Sequence, residues 1–120
     1  MNPIEEWPSF VHGGAFDEDW EELGLGDDDL ARLQRALVGA PEAGVVIPGT
    51  GGLRKLRFAR PGEGKSGSLR VCYTLIPGRG IVLLMAAYGK TTKTNLTAAE
   101  KRFFKHLIGQ YKQVFGAAEE

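Results

Sequence analysis

The sequence has few of the residues that build disulfides and metal sites. It contains one cysteine, Cys72, and two histidines, His12 and His106. A single cysteine excludes an internal disulfide and a cysteine-built zinc site, and two histidines are too few for a histidine cage. We therefore expect no metal and no other cofactor, in a protein suited to the reducing, cytoplasmic compartment.

Long apolar runs are also missing. The longest, residues 81–88, is far shorter than the ~20 residues that span a bilayer, and it suits a buried strand. The N-terminus has no basic region followed by an apolar stretch, so no signal peptide is expected. With 120 residues, 42% of them hydrophobic and 25% charged, the chain is predicted to form one globular domain over residues 1–120, with no membrane partner.

Charge is balanced overall but divided along the chain. Residues 1–50 hold eleven acidic and two basic side chains, whereas residues 51–118 hold thirteen basic and two acidic ones. Such a division suggests that the second half faces a polyanion. Two oppositely charged surfaces that attract each other within the fold would explain the same division.

The first half shows two helical patterns. Phe16, Trp20 and Leu23 are spaced i, i+4, i+7, and the pattern stops at Gly24. Three successive aspartates, residues 27–29, suit the N-terminus of a second helix, because carboxylates there bind free backbone N–H groups and interact favourably with the helix dipole. That helix carries leucines at 30, 33 and 37. A short strand around residues 9–12 precedes both helices.

The second half changes to strand periodicity before a last helix. Residues 53–60 and 69–76 alternate, and residues 81–88 are apolar on both faces, which is typical of a central strand. Thr97 and Glu100 have capping-box spacing at the start of a helix with a broad apolar stripe. The predicted fold is α+β: a small antiparallel sheet with two N-terminal helices and one C-terminal helix packed on one side of it.

Basic side chains follow the predicted strands. Lys55 and Arg57 share one strand face, Arg70 lies on the polar face of the next strand, and Lys90 and Lys93 follow the third. RNA cleavage by the 2′-hydroxyl passes through a dianionic, phosphorane-like state that fixed cations can stabilise without a metal. Arginine suits phosphate oxygens and lysine can move protons. A phosphate-binding surface without chemistry is the alternative.

The glycine-rich loop of residues 62–67 matches the dinucleotide-binding pattern G-x-G-x-x-G. That pattern requires a helix after the loop, and here a strand is predicted to follow, so no pyrophosphate site is expected. Lys65 and the backbone N–H groups of the loop can still bind a phosphate ester.

Two segments carry a family resemblance: V-I-P-G-T-G-G-L-R-K-L-R-F-A at 46–59 and G-E-G-K-S-G-S-L-R-V-C-Y at 62–73. Together with the later Tyr88-Gly89-Lys90, they resemble the core of RelE-superfamily toxins of type II toxin–antitoxin systems, in the HigB-type branch. The resemblance covers residues 10–112. It implies an endoribonuclease (mRNA interferase) that cuts mRNA in the ribosomal A site and contacts ribosomal RNA. It also implies a cognate antitoxin, often with a helix-turn-helix DNA-binding domain.

The resemblance also implies roles for individual residues. It gives catalytic roles to the family's basic residues, here Lys55, Arg57, Arg70 and Lys90. It makes Arg54 a neighbouring phosphate contact, and the further RNA-binding candidates are Lys65, Lys93, Tyr73 and Tyr88. Where the family has an arginine just after Lys90 and a tyrosine further on, this sequence has Thr91 and Thr97. Tyr73 or Tyr88 is therefore a candidate to replace that tyrosine.

Three hypotheses about function follow. The leading one is an RNA-cleaving toxin that inhibits translation. The second is a non-catalytic RelE-fold protein that binds RNA or a partner protein. The third is a host-interaction or phage-derived regulator that uses the acidic helices as its interface. In the first case, the acidic half either packs behind the sheet, away from ribosomal RNA, or helps to recognise the antitoxin.

Overall fold

The computed structural model describes residues 8–64, 69–89 and 95–116. Their secondary structure confirms both N-terminal helices, the three main strands and the last helix, and adds a two-residue strand that the sequence did not predict. In chain order the elements are β1 (Ser9–His12), α1 (Phe16–Glu22), α2 (Asp27–Gly39), β2 (Val45–Val46), β3 (Arg54–Phe58), β4 (Leu69–Ile76), β5 (Ile81–Gly89) and α3 (Ala98–Val114).

The strands form one five-stranded sheet in the order β1-β5-β4-β3-β2. Strands β2 to β5 pair antiparallel with their neighbours, as predicted for the meander. Strand β1 pairs in parallel with β5, from Ser9 opposite Ile81 to His12 opposite Leu84, so the sheet is mixed at this edge. Strand β5 consequently has a neighbour on each side, which fits the prediction of a central strand.

Helices cover both faces of the sheet. Helices α1 and α2 bury Phe16, Trp20, Leu33 and Leu37 in one core, and Ile108 of α3 belongs to the other. The α+β class is confirmed, but the expectation that all helices lie on one side is wrong. The physical reason is visible in β5, where Val82 and Leu84 enter the first core while Leu83 and Met85 enter the second. A strand that is apolar on both faces must be covered on both.

Helix α2 is fixed to the end of β3 by an arginine. The Arg32 guanidinium lies 4.2 Å from the ring centroid of Phe58, and its Nη1 donates to the Ala59 carbonyl at 2.8 Å. Nη2 also contacts the Asp29 carboxylate at 3.2 Å. One of the two basic residues of the acidic half is thus used to hold β3 in place.

Helix α3 begins at the capping box that the sequence predicted. The Thr97 hydroxyl accepts a hydrogen bond from the Glu100 N–H, and the Glu100 carboxylate accepts one from the Thr97 N–H. No helix in the described part of the chain is both long and apolar enough to cross a bilayer.

A tight turn centred on Thr50 leads into β3. The fully buried Thr50 hydroxyl donates to the Ile47 carbonyl at 2.6 Å and accepts from the Leu53 N–H at 3.0 Å. Gly49 and Gly51 have φ angles of +83° and +77°, a region that side chains with a Cβ rarely adopt. The segment G-T-G-G therefore sets where β3 begins.

Strand β5 contains a β-bulge opposite the Cys72–Tyr73 step of β4. Cys72 pairs with Ala86 and Tyr73 pairs with Leu84, so Met85 is the extra residue. Met85 and Ala86 both belong to the core under α3 as a result. Just after the bulge and beyond the end of β1, the Ala87 N–H donates to the Asp19 carboxylate of α1 at 3.0 Å.

Candidate nucleic-acid interface

Strands β3 and β4 bring three of the predicted cations onto one face. Lys55 and Arg57 share the side of the sheet with Leu53, which packs in the core under α3. Arg70 lies on the same face of β4, directly opposite Arg57 in the register. We call Lys55, Arg57 and Arg70 the basic strip.

The basic strip lines a shallow hollow. Ala43 and Val45 form its outer wall, and its volume is about 520 Å³. Arg57 is exposed, while Lys55 and Arg70 are half-buried. No acidic side chain is among the described residues that line the hollow. Like charges directly opposite each other on two strands are destabilising, so an anion bound between Arg57 and Arg70 would relieve their repulsion.

Tyr88 extends this row across the sheet. It pairs directly with Arg70 and, because of the bulge, faces the α3 side. Its hydroxyl is buried and forms no hydrogen bond to a nitrogen or oxygen of the described residues. Burial raises the pKa of Tyr88 to about 12, the neighbouring Cys72 thiol adds to this rise and Arg70 opposes it. The hydroxyl is therefore protonated at neutral pH.

Two of the predicted site residues lie on the opposite face. Arg54 Nη1 donates to the carbonyls of Gly44 at 2.8 Å and Glu42 at 3.2 Å. Tyr73 is fully buried; its hydroxyl donates to the Pro41 carbonyl at 2.7 Å and accepts from the Gly44 N–H at 2.8 Å. These residues hold the α2–β2 loop in place. Arg54 and Tyr73, both predicted RNA contacts, therefore lie apart from the basic strip, and their contact with RNA stays a prediction.

Three further candidates cannot be placed. Lys65, Lys90 and Lys93 lie outside the described residues, so their roles remain predictions. Cys72 is fully buried in the α3-side core, where a small hydrophobe was expected. His12 contacts the Asp17 carboxylate through Nδ1 at 2.7 Å. Among the described residues, no group of three metal-ligating side chains is close enough together to hold an ion.

No pattern in the sequence predicted Val45 as a residue of the site. Val45 is directly opposite Lys55 in the register and shares its face, yet 73% of it is exposed. An exposed, β-branched residue beside a cluster of cations could have been noticed, but strand β2 has only two residues and shows no periodicity.

A larger cavity lies elsewhere, between α1, the end of β5 and α3. Its volume is about 900 Å³, and both acidic and apolar side chains line it, among them Asp19, Glu22, Glu100, Phe103 and Leu107. Tyr88 lines this cavity too, but no residue of the basic strip does. Acidic walls do not suit a phosphate, whereas the hollow of the basic strip has the charge to bind one.

Comparison with known proteins supports the assignment of the fold. No protein-family model matches the chain. Among solved structures, a mutant of the E. coli toxin RelE in the free state is similar, with a TM-score of 0.51 and 15% sequence identity over 72% of this chain and 86% of that one. At such low identity the similarity concerns the backbone fold alone. The chain has a RelE-like α+β fold.

Proposed function

We propose that the protein is the toxin of a type II toxin–antitoxin system, of the HigB-type branch, and that it cleaves mRNA on the ribosome. The observation that carries the proposal is the pairing of Arg57 with Arg70, beside Lys55, in a hollow without acidic walls. Such a pairing can hold a phosphate between two guanidinium groups. The RelE-like fold supports the same function, because the solved structure it resembles is that of a toxin.

The chemistry requires no group outside the RNA and the protein. The 2′-hydroxyl oxygen attacks the adjacent phosphorus, the bond to the 5′-oxygen breaks, and the products are a 2′,3′-cyclic phosphate and a 5′-hydroxyl. One proton leaves the 2′-oxygen and one is given to the departing 5′-oxygen. Arg57 and Arg70 would bind the non-bridging oxygens as their negative charge grows. Lys55, with Lys90 from outside the described residues, would add positive charge and move protons.

In this proposal Tyr88 does not take over the role of the tyrosine that the family has further along the chain. With its pKa at about 12, the hydroxyl keeps its proton at neutral pH and does not serve as a base. It is instead a buried, protonated hydroxyl with no nitrogen or oxygen partner among the described residues, in the row of Arg57 and Arg70.

The proposed partners follow from this function. They are mRNA in the ribosomal A site, ribosomal RNA and a cognate antitoxin, for which we expect a helix-turn-helix domain. Helices α1 and α2 pack on the face opposite the basic strip. The two helices thus lie on the far side of the sheet from the bound RNA strand and leave a separate surface for a basic partner.

Expression of the protein in bacteria tests the proposal. We expect wild-type expression to stop growth and to cut translated messages, mapped by primer extension. Lys55→Ala, Arg57→Ala and Arg70→Ala should each lower cleavage about 100-fold or more, as loss of one group that stabilises transition-state charge does. Arg35→Ala, which removes an exposed arginine from α2, is the matched control and should cleave normally.

Ribosome binding separates the proposed enzyme from its alternatives. If the three variants still sediment with ribosomes but do not cut, the basic strip acts in chemistry. If the wild type binds ribosomes or RNA without cutting any message, the protein is a non-catalytic RelE-fold regulator and the proposed activity is wrong.

A further inference from the structure

A second hollow lies on the other side of Val45. It is smaller, about 230 Å³, and Val45 and Lys55 line it as they line the hollow of the basic strip. Its other walls include Pro48 and Leu96, which are apolar, and Asn95 and Lys101, which are polar. Val45 and Lys55 thus form a wall between two adjoining hollows, one strongly basic and one mixed.

The walls of the second hollow come from the Thr50 turn and from the start of α3. Pro48 lies in the turn that the Thr50 hydroxyl closes with two hydrogen bonds. Asn95 and Leu96 immediately precede the capping box of α3. A Cβ atom on Gly49 would lie 3.9 Å from Cδ of Lys101, so the stem of this lysine packs against the turn. The turn and the first turn of α3 thus meet at this hollow.

The lining has the chemistry of a nucleobase site. Apolar walls accept the faces of a flat ring, and a few polar groups fix its orientation. The two polar side chains favour the same class of base, because asparagine pairs with N6 and N7 of adenine and lysine donates to O6 and N7 of guanine. Both contacts use the N7 edge that only purines have. A volume below the ~300 Å³ at which drug-sized pockets begin suits one base.

We propose that this second hollow binds a purine base of the same RNA strand whose phosphate lies on the basic strip. The inference rests on the proposed RNA-binding function and adds to it a determinant of where the strand is cut. Sequence-specific proteins recognise single-stranded RNA in this way, through unstacked bases held by their faces and edges. Lys55, shared by the two hollows, would contact the phosphate that joins the two nucleotides.

Cleavage mapping on translated messages tests the inference. Wild-type protein should cut with a preference for a purine at one fixed position next to the cut. Asn95→Ala and Lys101→Ala should each reduce that purine-to-pyrimidine ratio about fivefold or more, the size of one lost base contact. Val45→Ser should reduce it as well, because it removes the apolar wall.

The end of α3 offers a matched set of controls. Gln113→Ala, Lys112→Ala and Val114→Ser remove an amide, an ammonium and an exposed valine (77% exposed) from outside both hollows. They should leave the ratio unchanged. Cleavage without a purine preference, or a preference that survives Asn95→Ala and Lys101→Ala, overturns the purine site and leaves the proposed function standing. A wild-type protein that neither cuts messages nor binds single-stranded RNA overturns both.

Discussion

Tyr73 and Tyr88 lie on neighbouring strands but on opposite faces of the sheet, and their hydroxyl groups have opposite surroundings. That of Tyr73 makes two hydrogen bonds to the α2–β2 loop, and that of Tyr88 makes none to a nitrogen or oxygen of the described residues. The first is therefore a structural group, whereas the second makes no hydrogen bond of this kind to the fold.

Replacement by phenylalanine should separate these two roles. Tyr73→Phe leaves the Gly44 N–H and the Pro41 carbonyl without their partner, so we expect the free energy of unfolding to fall by about 1–3 kcal/mol. Tyr88→Phe removes a hydroxyl that has no such partner and should cost little stability. Urea denaturation of both variants measures the difference. Equal losses in the two would contradict the assignment.

The raised pKa of Tyr88 predicts a specific loss of stability at alkaline pH. An unfolded tyrosine ionises near 10, whereas Tyr88 in the folded protein ionises near 12. Between these values the unfolded state releases a proton that the folded state retains, so stability falls as pH rises through this window. The pKa of Tyr73 is also raised, first of all by burial, and contributes in the same direction.

One variant tests whether Tyr88 causes this loss of stability at alkaline pH. Urea midpoints of wild type and Tyr88→Phe should differ by a constant amount up to about pH 9. Above about pH 10 the wild type should lose stability faster than the variant, which lacks this ionisation. If the two curves stay parallel into the alkaline range, the Tyr88 hydroxyl is not shielded from solvent as described.

Part of the site could be predicted residue by residue, and part could not. Alternation along β3 already separates Arg54 from Lys55 and Arg57, and alternation along β4 places Tyr73 with the core residues Leu69 and Val71. The structural roles of Arg54 and Tyr73 were thus present in the pattern. The side of the sheet on which Tyr88 lies could not be predicted. A bulge at Met85 shifts the alternation of side chains along β5, and a strand that is apolar on both faces gives no sign of the shift.

At the scale of elements, the Thr50 turn connects sequence to site most directly. It fixes the start of β3, and with it the positions of Lys55 and Arg57, and it forms a wall of the second hollow. In the sequence, the turn could be recognised only as the glycine-rich segment G-T-G-G. Its internal hydrogen bonds depend on the burial of Thr50, which sequence alone does not give.

Thr50→Val tests this turn with little change in shape. The substitution keeps the volume of the side chain and removes the hydroxyl, so the Ile47 carbonyl and the Leu53 N–H lose their shared partner. We expect the free energy of unfolding to fall by about 1–3 kcal/mol. Thr50→Ser, which keeps the hydroxyl, should lose clearly less. Thermal or urea unfolding of the pair provides the measurement, and a fully stable valine variant would show that the turn does not need these bonds.

At the scale of the whole molecule, the division of charge along the chain becomes a division across the sheet. Helices α1 and α2 with their acidic side chains pack on one face, and the basic strip lies on the other. A polyanion is consequently steered toward one side of the molecule only. The sequence predicted the two charged halves but not this arrangement, because helical periodicity identifies the apolar stripe of a helix without saying which sheet face it covers.

The bulge in β5 has a consequence for comparing this protein with others. A β-bulge is one inserted residue, and every position after it exchanges faces relative to an unbulged strand. Aligned without a gap to such a strand, Tyr88 would be matched with a residue that faces α1 and α2, and Ala87 with one that faces α3. Comparisons of related chains should therefore permit a one-residue gap at Met85, so that Tyr88 is matched with residues beside Arg70.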